Sequence, residues 1–253
     1  MPAQARLLAE HFWPGPLTLV LRRGPRVPLE ATGGLETVAV RVPDHPVALA
    51  LLAAFGGGVT APSANRFGQV SPTTANDVRA ELGDGVDFVL DGGPCEVGVE
   101  STIVDVTGDA PSILRPGGVT REELEAVLGF PLVVPSTSDV RVPGQHPSHY
   151  APRARVVLVE PGKVIAEAEL AQELGHQVGV FLPSALSGTP VKAHAVMTVP
   201  DSLAAYARVL YGFLRELDQR GCDLIVASLP AEDGLGLAIA NRLRRAAGPR
   251  TSA

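Results

Sequence analysis

The sequence predicts an α/β protein of two domains joined by a proline-rich linker. Three observations lead to this fold class. Beyond residue 154, continuous apolar runs alternate with helical patterns, which is typical of buried parallel strands covered by helices. Before residue 132, short strands and short helices alternate in a less regular order. Between these parts, residues 142–152 contain three prolines and no apolar period, so they predict a linker stiffened by proline.

The first domain alternates short helices and short strands that are separated by proline and glycine turns. Its predicted helices are residues 3–12, 46–55, 71–82 and 120–128, and its predicted strands are residues 17–21, 37–42, 86–90, 102–106 and 112–114. Ser71 is the expected N-cap of the third helix, with Pro72 in its first turn. The Thr120-Arg121-Glu122-Glu123 sequence predicts a capping box at the start of the fourth helix.

The second domain has a regular alternation of strands and helices. Its predicted strands are residues 156–159, 178–182 and 223–229, and its main helices are residues 203–217 and 236–247. One apolar stripe on the 203–217 helix is interpreted as core: Leu203, Tyr206, Leu210, Phe213, Leu214 and Leu217. Gly234-Leu235-Gly236 is only a weak indication of dinucleotide binding. We therefore predict a first domain at 1–132, a linker at 133–153 and a small doubly wound domain at 154–253.

Composition argues against several classes of function. The formal net charge of -6 argues against stable nucleic-acid binding by the whole chain. Cys95 and Cys222 are far apart and lack CxxC spacing, which favours free thiols in a reducing compartment and no zinc site. No apolar run approaches the length of a membrane span, and no secretory signal follows Met1, so we expect a cytoplasmic protein.

The loop at residues 60–71 is the most informative stretch of the chain. Its Thr60-Ala61-Pro62-Ser63-Ala64-Asn65 sequence follows an apolar segment that we interpret as a strand. Ser63 and Asn65 are two residues apart, so on an extended backbone both side chains point the same way. Short polar groups of this kind bind a phosphate or a carboxylate at little desolvation cost. An ordinary Ser/Asn/Pro turn is the alternative interpretation.

Two arginines stand where an apolar strand meets a proline turn. Arg41 precedes Val42-Pro43, and Arg115 precedes Pro116-Gly117. Ligands of open α/β sheets bind near strand ends, and a guanidinium there clamps a carboxylate or phosphate with two hydrogen bonds. A surface salt bridge is the alternative for either residue. Glu100 and Asp105 are too far apart on an extended strand to form an acid–base pair. We therefore favour Ser101, between them, as a ligand contact.

The candidate residues offer donors and cations, but no obvious general base or nucleophile. They are Arg41, Ser63, Asn65, Ser71, Ser101 and Arg115. Such a set suits the binding and positioning of anionic groups. Phosphoryl or nucleotidyl transfer requires mainly that, together with a metal ion.

Motifs along the whole chain resemble the YrdC-type threonylcarbamoyl-AMP synthases in their long form, which adds a linker and a Rossmann-like C-terminal domain. The motifs are Trp13-Pro14-Gly15-Pro16-Leu17-Thr18, Val40-Arg41-Val42-Pro43, Pro62-Ser63-Ala64-Asn65, Ser101-Thr102-Ile103-Val104-Asp105, Arg115-Pro116-Gly117, His149-Tyr150-Ala151-Pro152 and Gly234-Leu235-Gly236-Leu237-Ala238-Ile239 with Asn241-Arg242-Leu243. The resemblance implies a YrdC-like twisted open sheet with helices for the first domain.

The resemblance also implies a reaction in which L-threonine, bicarbonate and ATP give threonylcarbamoyl-AMP and pyrophosphate. Other proteins then use the adenylate to modify an adenosine of tRNA, and Mg2+ accompanies ATP. By motif position, the expected threonine contacts are Arg41, the Ala61 backbone and Ser101. The expected ATP contacts are Thr37, Ser63, Ser71, Arg115 and, as a lid from the linker, Tyr150. Ser63 and Asn65 form the Ser-x-Asn element that we expect at the catalytic centre.

The chain departs from the resembled family at its start. Family members begin with a strand and a loop that carries a Lys-x-Arg pair for the ATP phosphates, and no such pair precedes Trp13 here. We therefore expect an incomplete first domain with weak activity. One alternative is a catalytically impaired module that binds nucleotide or tRNA. Another is a hydrogenase-maturation carbamoyl transferase, but that family carries cysteine-rich zinc modules, which two isolated cysteines exclude.

Overall fold

The computed structural model describes residues 1–135 and 150–248 of the chain. Contacts divide these residues into two compact units: residues 1–62 with 100–135, and residues 63–99 with 150–248. Residues 63–99 therefore lie in the same unit as the C-terminal residues. The larger part of the predicted linker, residues 136–149, lies outside the described residues, and the predicted domain boundaries stay predictions.

The first unit contains a four-stranded mixed sheet in the order β2-β1-β3-β4. The strands are Leu17–Arg22 (β1), Thr37–Val40 (β2), Thr102–Asp105 (β3) and Ser112–Arg115 (β4). The central β1/β3 pair is parallel, and both outer pairs are antiparallel. The unit's helices are Ala3–Phe12 (α1), Pro46–Phe55 (α2) and Arg121–Leu128 (α4).

The core of the first unit lies on one face of this sheet, beneath α1 and α4. Alternate side chains of the strands point to that face, as the period of an extended backbone requires. The core is built from Ala5, Leu8, Leu17, Leu19, Val104, Ile113 and Leu124. The opposite face presents Val20 and Ile103, together with the polar Thr18. The larger apolar core therefore lies on one side of the sheet, and the other side combines a small apolar cluster with polar groups.

The second unit contains an all-parallel sheet in the order β5-β8-β6-β7. The strands are Arg155–Val159 (β5), Val178–Leu182 (β6), Ala195–Thr198 (β7) and Leu224–Ser228 (β8). Its helices are Ala75–Leu82 (α3), Val164–Glu173 (α5), Leu203–Gln219 (α6) and Leu235–Ala247 (α7). Helix α5 packs on one face of the sheet, and α6 and α7 pack on the other. This arrangement confirms the predicted α/β class and the doubly wound C-terminal sheet.

The N-cap of the third helix lies three residues later than the sequence predicted. It is Thr74, whose hydroxyl accepts a hydrogen bond from the Asp77 amide at 3.1 Å. The Asp77 carboxylate in turn accepts from the Thr74 amide at 2.9 Å. This reciprocal box satisfies two donors that a start at Ser71 would leave to water. Ser71 is instead buried in an extended segment before the helix.

Strand predictions were wrong at three places. Residues 86–90 form no strand, and Phe88 in their centre is 90% exposed. A strand needs a partner for its backbone groups, and none in the described ranges pairs with this segment. The apolar segment before Ala61 likewise has no strand structure. Strand β7 was missed because it is short and alternates buried with exposed residues at the sheet edge.

Within the described ranges, none of the helices combines the length and the apolar character that crossing a bilayer requires.

Both cysteines are free thiols, as predicted, but their surroundings differ. Cys95 is exposed, whereas Cys222 is buried beneath α6 and β8. Burial, together with the nearby Asp218 and Asp223 carboxylates, raises the pKa of the Cys222 thiol.

We therefore expect Cys95 to react with a thiol reagent at pH 8 at least about tenfold faster than Cys222, because the thiolate is the reacting form. Titration of the native protein with Ellman's reagent, with Cys95→Ser and Cys222→Ser as matched variants, measures both rates. Equal rates in the folded protein would show that the packing around Cys222 is described wrongly.

Candidate functional site

A buried cluster of polar side chains lies on the face of the first sheet that α1 and α4 leave free. The Thr18 and Ser101 hydroxyls are 2.7 Å apart. The Arg115 guanidinium donates to the Ser101 carbonyl from Nη2 at 3.0 Å and from Nε at 3.2 Å, and to the Ser101 hydroxyl at 3.3 Å. Ser101 is 6% exposed and Arg115 is 9% exposed. We call these three residues the sheet-face cluster.

A β-bulge in β4 turns Arg115 toward this face. Ile103 pairs with Arg115 and Val104 pairs with Ile113, so Leu114 is an extra residue on β4. Without the bulge, Arg115 would share the helix-covered face of Ile113, two residues before it. The irregularity therefore aims a cation at Ser101, and sequence periodicity alone would place that cation on the wrong side.

Close backbone packing fixes the chain that follows Arg115. A Cβ atom at Gly117 would lie 2.2 Å from the Glu100 carbonyl oxygen and 2.4 Å from the Thr102 nitrogen, so only glycine fits there. The Gly118 amide donates to the Glu100 carbonyl at 3.1 Å. The Arg-Pro-Gly turn and the Glu100–Thr102 backbone therefore form one rigid support for the cluster.

Arg41 lies at the same end of the sheet as the cluster. Continuing the β1/β2 register by one pair beyond Leu19 and Val40 places Arg41 opposite Thr18. Its Nε donates to the Gly15 carbonyl at 2.9 Å, and its Nη2 lies 3.9 Å from the Asp44 carboxylate. The guanidinium is partly exposed, which leaves it accessible to an anion. Thr37 instead pairs with Arg22. It therefore lies at the opposite end of β2 from Arg41.

Comparisons with known proteins agree over the whole chain. The family described as "Telomere recombination" matches residues 1–117, and the family described as "Threonylcarbamoyl-AMP synthase, C-terminal domain" matches residues 119–248. The threonylcarbamoyl-AMP synthase of Pyrococcus abyssi is 40% identical over 99% of this chain and 75% of its own length. The threonylcarbamoyl-AMP synthase of Bacillus subtilis is 41% identical over 98% of this chain and 74% of its own length. The chain belongs to the threonylcarbamoyl-AMP synthase family.

A solved structure of the family is similar in fold as well. The crystal structure of P. abyssi Sua5 complexed with L-threonine matches with a TM-score of 0.91 and 41% identity, over 98% of this chain and 74% of that one. The family assignment and the fold expected from the resemblance are therefore both confirmed.

Ala61, whose backbone is an expected threonine contact, lies in the first unit, and the second unit carries the other expected residues, Ser63, Asn65, Ser71 and Tyr150. Ser63 is exposed, and the backbone bends at Ala64 and Asn65, so the extended geometry assumed for Ser63 and Asn65 does not hold. The Asn65 amide donates to the Arg66 carbonyl at 2.8 Å and to the Gln69 carbonyl at 3.3 Å. Asn65 thus closes its own loop, and its expected place at the catalytic centre stays a prediction.

Tyr150 is buried in the second unit and is 1% exposed. Its ring centroid is 5.7 Å from that of Tyr211 and 5.2 Å from the Arg242 guanidinium carbon. The next residue, Ala151, donates its amide to the Gly68 carbonyl at 2.9 Å, which joins this segment to the 60–71 loop. The expected role of Tyr150 as a lid over ATP is untested, and opening such a lid would require the ring to leave this contact.

Sequence reasoning missed three residues that the structure brings to candidate positions. Thr18 was noted only as part of a strand and a motif, yet its hydroxyl contacts Ser101. Arg242 was noted as part of a motif, and it is fully buried beside Tyr150. Arg215, on α6, donates to the backbone at Ser71. The available signal for Thr18 and Arg242 was their position in motifs, whereas no local pattern marked Arg215.

The sheet-face cluster predicts a coupled effect of two substitutions. Ser101→Ala leaves the buried Thr18 hydroxyl without this partner, which costs roughly 1–3 kcal/mol of unfolding free energy. In a Thr18→Val background, the same substitution costs less, because both partners are then apolar. Urea unfolding of the four proteins in this double-mutant cycle measures the difference. Strictly additive effects would contradict the hydrogen bond between the two hydroxyls.

Proposed function

We propose that the chain joins L-threonine, bicarbonate and ATP to form threonylcarbamoyl-AMP and pyrophosphate, for the modification of an adenosine in tRNA. The observation that supports this most strongly is the similarity to P. abyssi Sua5, a protein crystallised with L-threonine, over 98% of this chain. The relatives from P. abyssi and B. subtilis carry the name of this activity. A catalytically impaired module that binds only nucleotide or tRNA is not favoured.

The proposed chemistry has two steps that balance. The threonine amine attacks the carbon of bicarbonate, a C–N bond forms, and water leaves to give the carbamate. A carbamate oxygen then attacks the α-phosphorus of ATP, and the bond between that phosphorus and the oxygen of the β-phosphate breaks. Pyrophosphate carries away the electron pair. Such a transfer depends on holding anionic groups in line rather than on a protein nucleophile.

The positive charges of Arg41 and Arg115 suit the binding of two substrates that carry anionic groups. For threonine, the proposed contacts are the accessible guanidinium of Arg41, the Ala61 backbone and the Ser101 hydroxyl. For ATP, they are Thr37, Ser63, Ser71, Arg115 and Tyr150. The Arg115 guanidinium is held by two bonds to one carbonyl, so it is preorganised before an anion arrives, and preorganised charge is the most effective kind in such transfers.

Mg2+ enters this proposal as part of the ATP substrate. In the part of the chain that the structure describes, no group of three His, Cys, Asp or Glu side chains could hold a metal ion. We expect the ATP phosphates and water molecules to be the ligands of Mg2+. The protein's contribution is the set of donors and cations around the phosphates.

The expected surroundings of the protein follow from the same reaction. We propose that it works in the cytoplasm, where ATP, threonine and tRNA-modifying proteins meet, and that the latter consume the adenylate. Direct, stable nucleic-acid binding is not expected, because the formal net charge is -6.

Omission of single substrates tests the proposed function. Pyrophosphate release from ATP is expected only when L-threonine and bicarbonate are both present, and labelled bicarbonate is expected to appear in an adenylate. Release of pyrophosphate or phosphate that ignores threonine would contradict the proposed reaction.

The two arginines are expected to act on different substrates. Arg115→Ala is expected to raise the ATP KM about ten- to a hundredfold, since a charge-assisted hydrogen bond to an anion is worth roughly 1.5–3 kcal/mol. Arg41→Ala is expected to raise the threonine KM instead. Steady-state kinetics with each substrate varied in turn measures both effects.

Arg121→Ala is a matched control for these variants, because the ion pairs that this partly exposed arginine forms within the described ranges are with Glu122 and Glu125 in α4. It is expected to leave both KM values unchanged. If Arg41→Ala affected ATP alone, the assignment of Arg41 to threonine would be wrong.

A further inference from the structure

Helix α6 has a polar face beside its apolar stripe, and this face contacts other segments of the second unit. Arg208, Tyr211, Arg215 and Asp218 follow one another at spacings of three, four and three residues, so they lie on one side of the helix. Each of them contacts a different segment of the second unit outside the C-terminal sheet. We call these four residues the α6 contact face.

Arg215 makes the most extensive contact of this face. Its Nη1 lies 3.1 Å from the Glu81 carboxylate, and both side chains are only 14% exposed. Its Nη2 donates to the Val70 carbonyl, and its Nε lies 3.4 Å from the Ser71 carbonyl. The guanidinium therefore holds both the backbone at Ser71 and the end of α3, through groups that are largely shielded from water.

Glu81 extends this contact toward the loop that contains Ser63 and Asn65. Its second carboxylate oxygen accepts a hydrogen bond from the Arg66 amide at 3.3 Å, and its carbonyl accepts from Arg66 Nε at 3.4 Å. Arg215 thus fixes the loop directly at residues 70–71 and indirectly at Arg66. Because Asn65 already closes residues 66–69, the whole turn is held from both ends.

The remaining residues of the α6 contact face hold neighbouring segments. Arg208 Nε donates to the Glu96 carbonyl at 2.7 Å, and Gly98 approaches so closely that a Cβ atom would lie 2.3 Å from the Arg208 Cα. The Asp218 carboxylate accepts from the amides of Arg153 and Ala154 at 2.8 and 3.0 Å. Tyr211 packs against Tyr150. One helix therefore anchors the candidate ATP loop and the segment that follows Tyr150.

We propose that Arg215 is a positioning residue for ATP: through Glu81 and the Val70–Ser71 backbone, it holds the 63–71 loop in the conformation that binds the nucleotide. This inference rests on the proposed function. It gives helix α6 a part in nucleotide binding without any contact to the nucleotide itself.

The chemistry of the contact explains why the loop depends on it. Within residues 63–71, Val70 is the only apolar side chain that is buried in the core. The order of the remaining loop residues therefore comes mainly from hydrogen bonds to rigid elements. A largely buried carboxylate that loses its arginine is left without its charge partner and draws water into the contact. The loop would then sample many conformations, and ATP would bind only the fraction that is correctly folded.

The experiment compares Arg215→Ala, Arg215→Lys and Glu81→Gln with Arg220→Ala as the matched control. Arg220 is the C-cap residue of the same helix, its side chain is exposed, and among the described residues its ion pair is with Glu216. We expect Arg215→Ala to raise the ATP KM about tenfold and to change the threonine KM less than about twofold. Arg215→Lys is expected to raise the ATP KM less than Arg215→Ala does, because lysine keeps the charge but lacks the planar set of guanidinium donors.

Nucleotide affinity and melting temperature separate positioning from stability. Calorimetry with ATP, without the other substrates, is expected to show the same tenfold weakening in Arg215→Ala at a temperature where all variants are folded. If all variants bind ATP like the wild type, or if both KM values rise equally, the positioning role is wrong. If the wild type binds ATP but releases no threonine-dependent pyrophosphate, the proposed function fails, and the calorimetric ratio still decides the role of Arg215. A wild type that binds no ATP would overturn both.

Discussion

The ion pair between Arg215 and Glu81 is the contact on which the order of the candidate ATP loop depends. It joins the longest helix of the chain to a segment 134 residues earlier, and the same guanidinium holds the backbone of Val70 and Ser71. Val70 is the only apolar side chain of residues 63–71 that is buried in the core, which is too little apolar surface for this loop to fix its own conformation without a rigid partner. The apolar core of the second unit therefore has two effects: it folds the C-terminal sheet, and it supplies a rigid helix to which the loop is attached.

In the first unit, an apolar core on one face of the sheet and a β-bulge hold the polar residues of the candidate site in place. Helices α1 and α4 cover one face of its sheet, where most of the apolar core lies, and the other face carries Thr18, Ser101 and Arg115 beside the buried Val20 and Ile103. The bulge at Leu114 turns a cation to that face, and glycine at position 117 allows the two backbone segments to meet. Polar groups in this cluster are hydrogen-bonded to one another and to the backbone, so their burial is offset before any ligand arrives. Preorganisation of this kind is what transfer between anionic groups requires.

Local patterns predicted a large part of this structure. The first helix, the capping box at Thr120, the buried strands β6 and β8, and the apolar stripe of α6 all follow from spacing within a few residues. The sites depend on contacts that such spacing does not contain. Thr18 and Ser101 are 83 residues apart, and the partners of Arg215 precede it by more than a hundred residues. The predicted strand at 86–90 failed for the same reason, because a strand requires a partner as well as apolar residues. Local residue chemistry identified Arg41, Ser63, Ser101 and Arg115 as candidates, and the motif resemblance assigned them to substrates, but neither showed what holds them in place.

Hydrogen exchange measured by mass spectrometry tests the role of α6 most directly. In Arg215→Ala, peptides that cover residues 66–82 are predicted to exchange faster than in the wild type, while peptides from β6 and β8 keep their protection. Arg220→Ala is predicted to match the wild type in both regions. If exchange in residues 66–82 were unchanged by the loss of Arg215, or if the C-terminal strands lost protection to the same extent, the helix would not be the specific anchor of the loop.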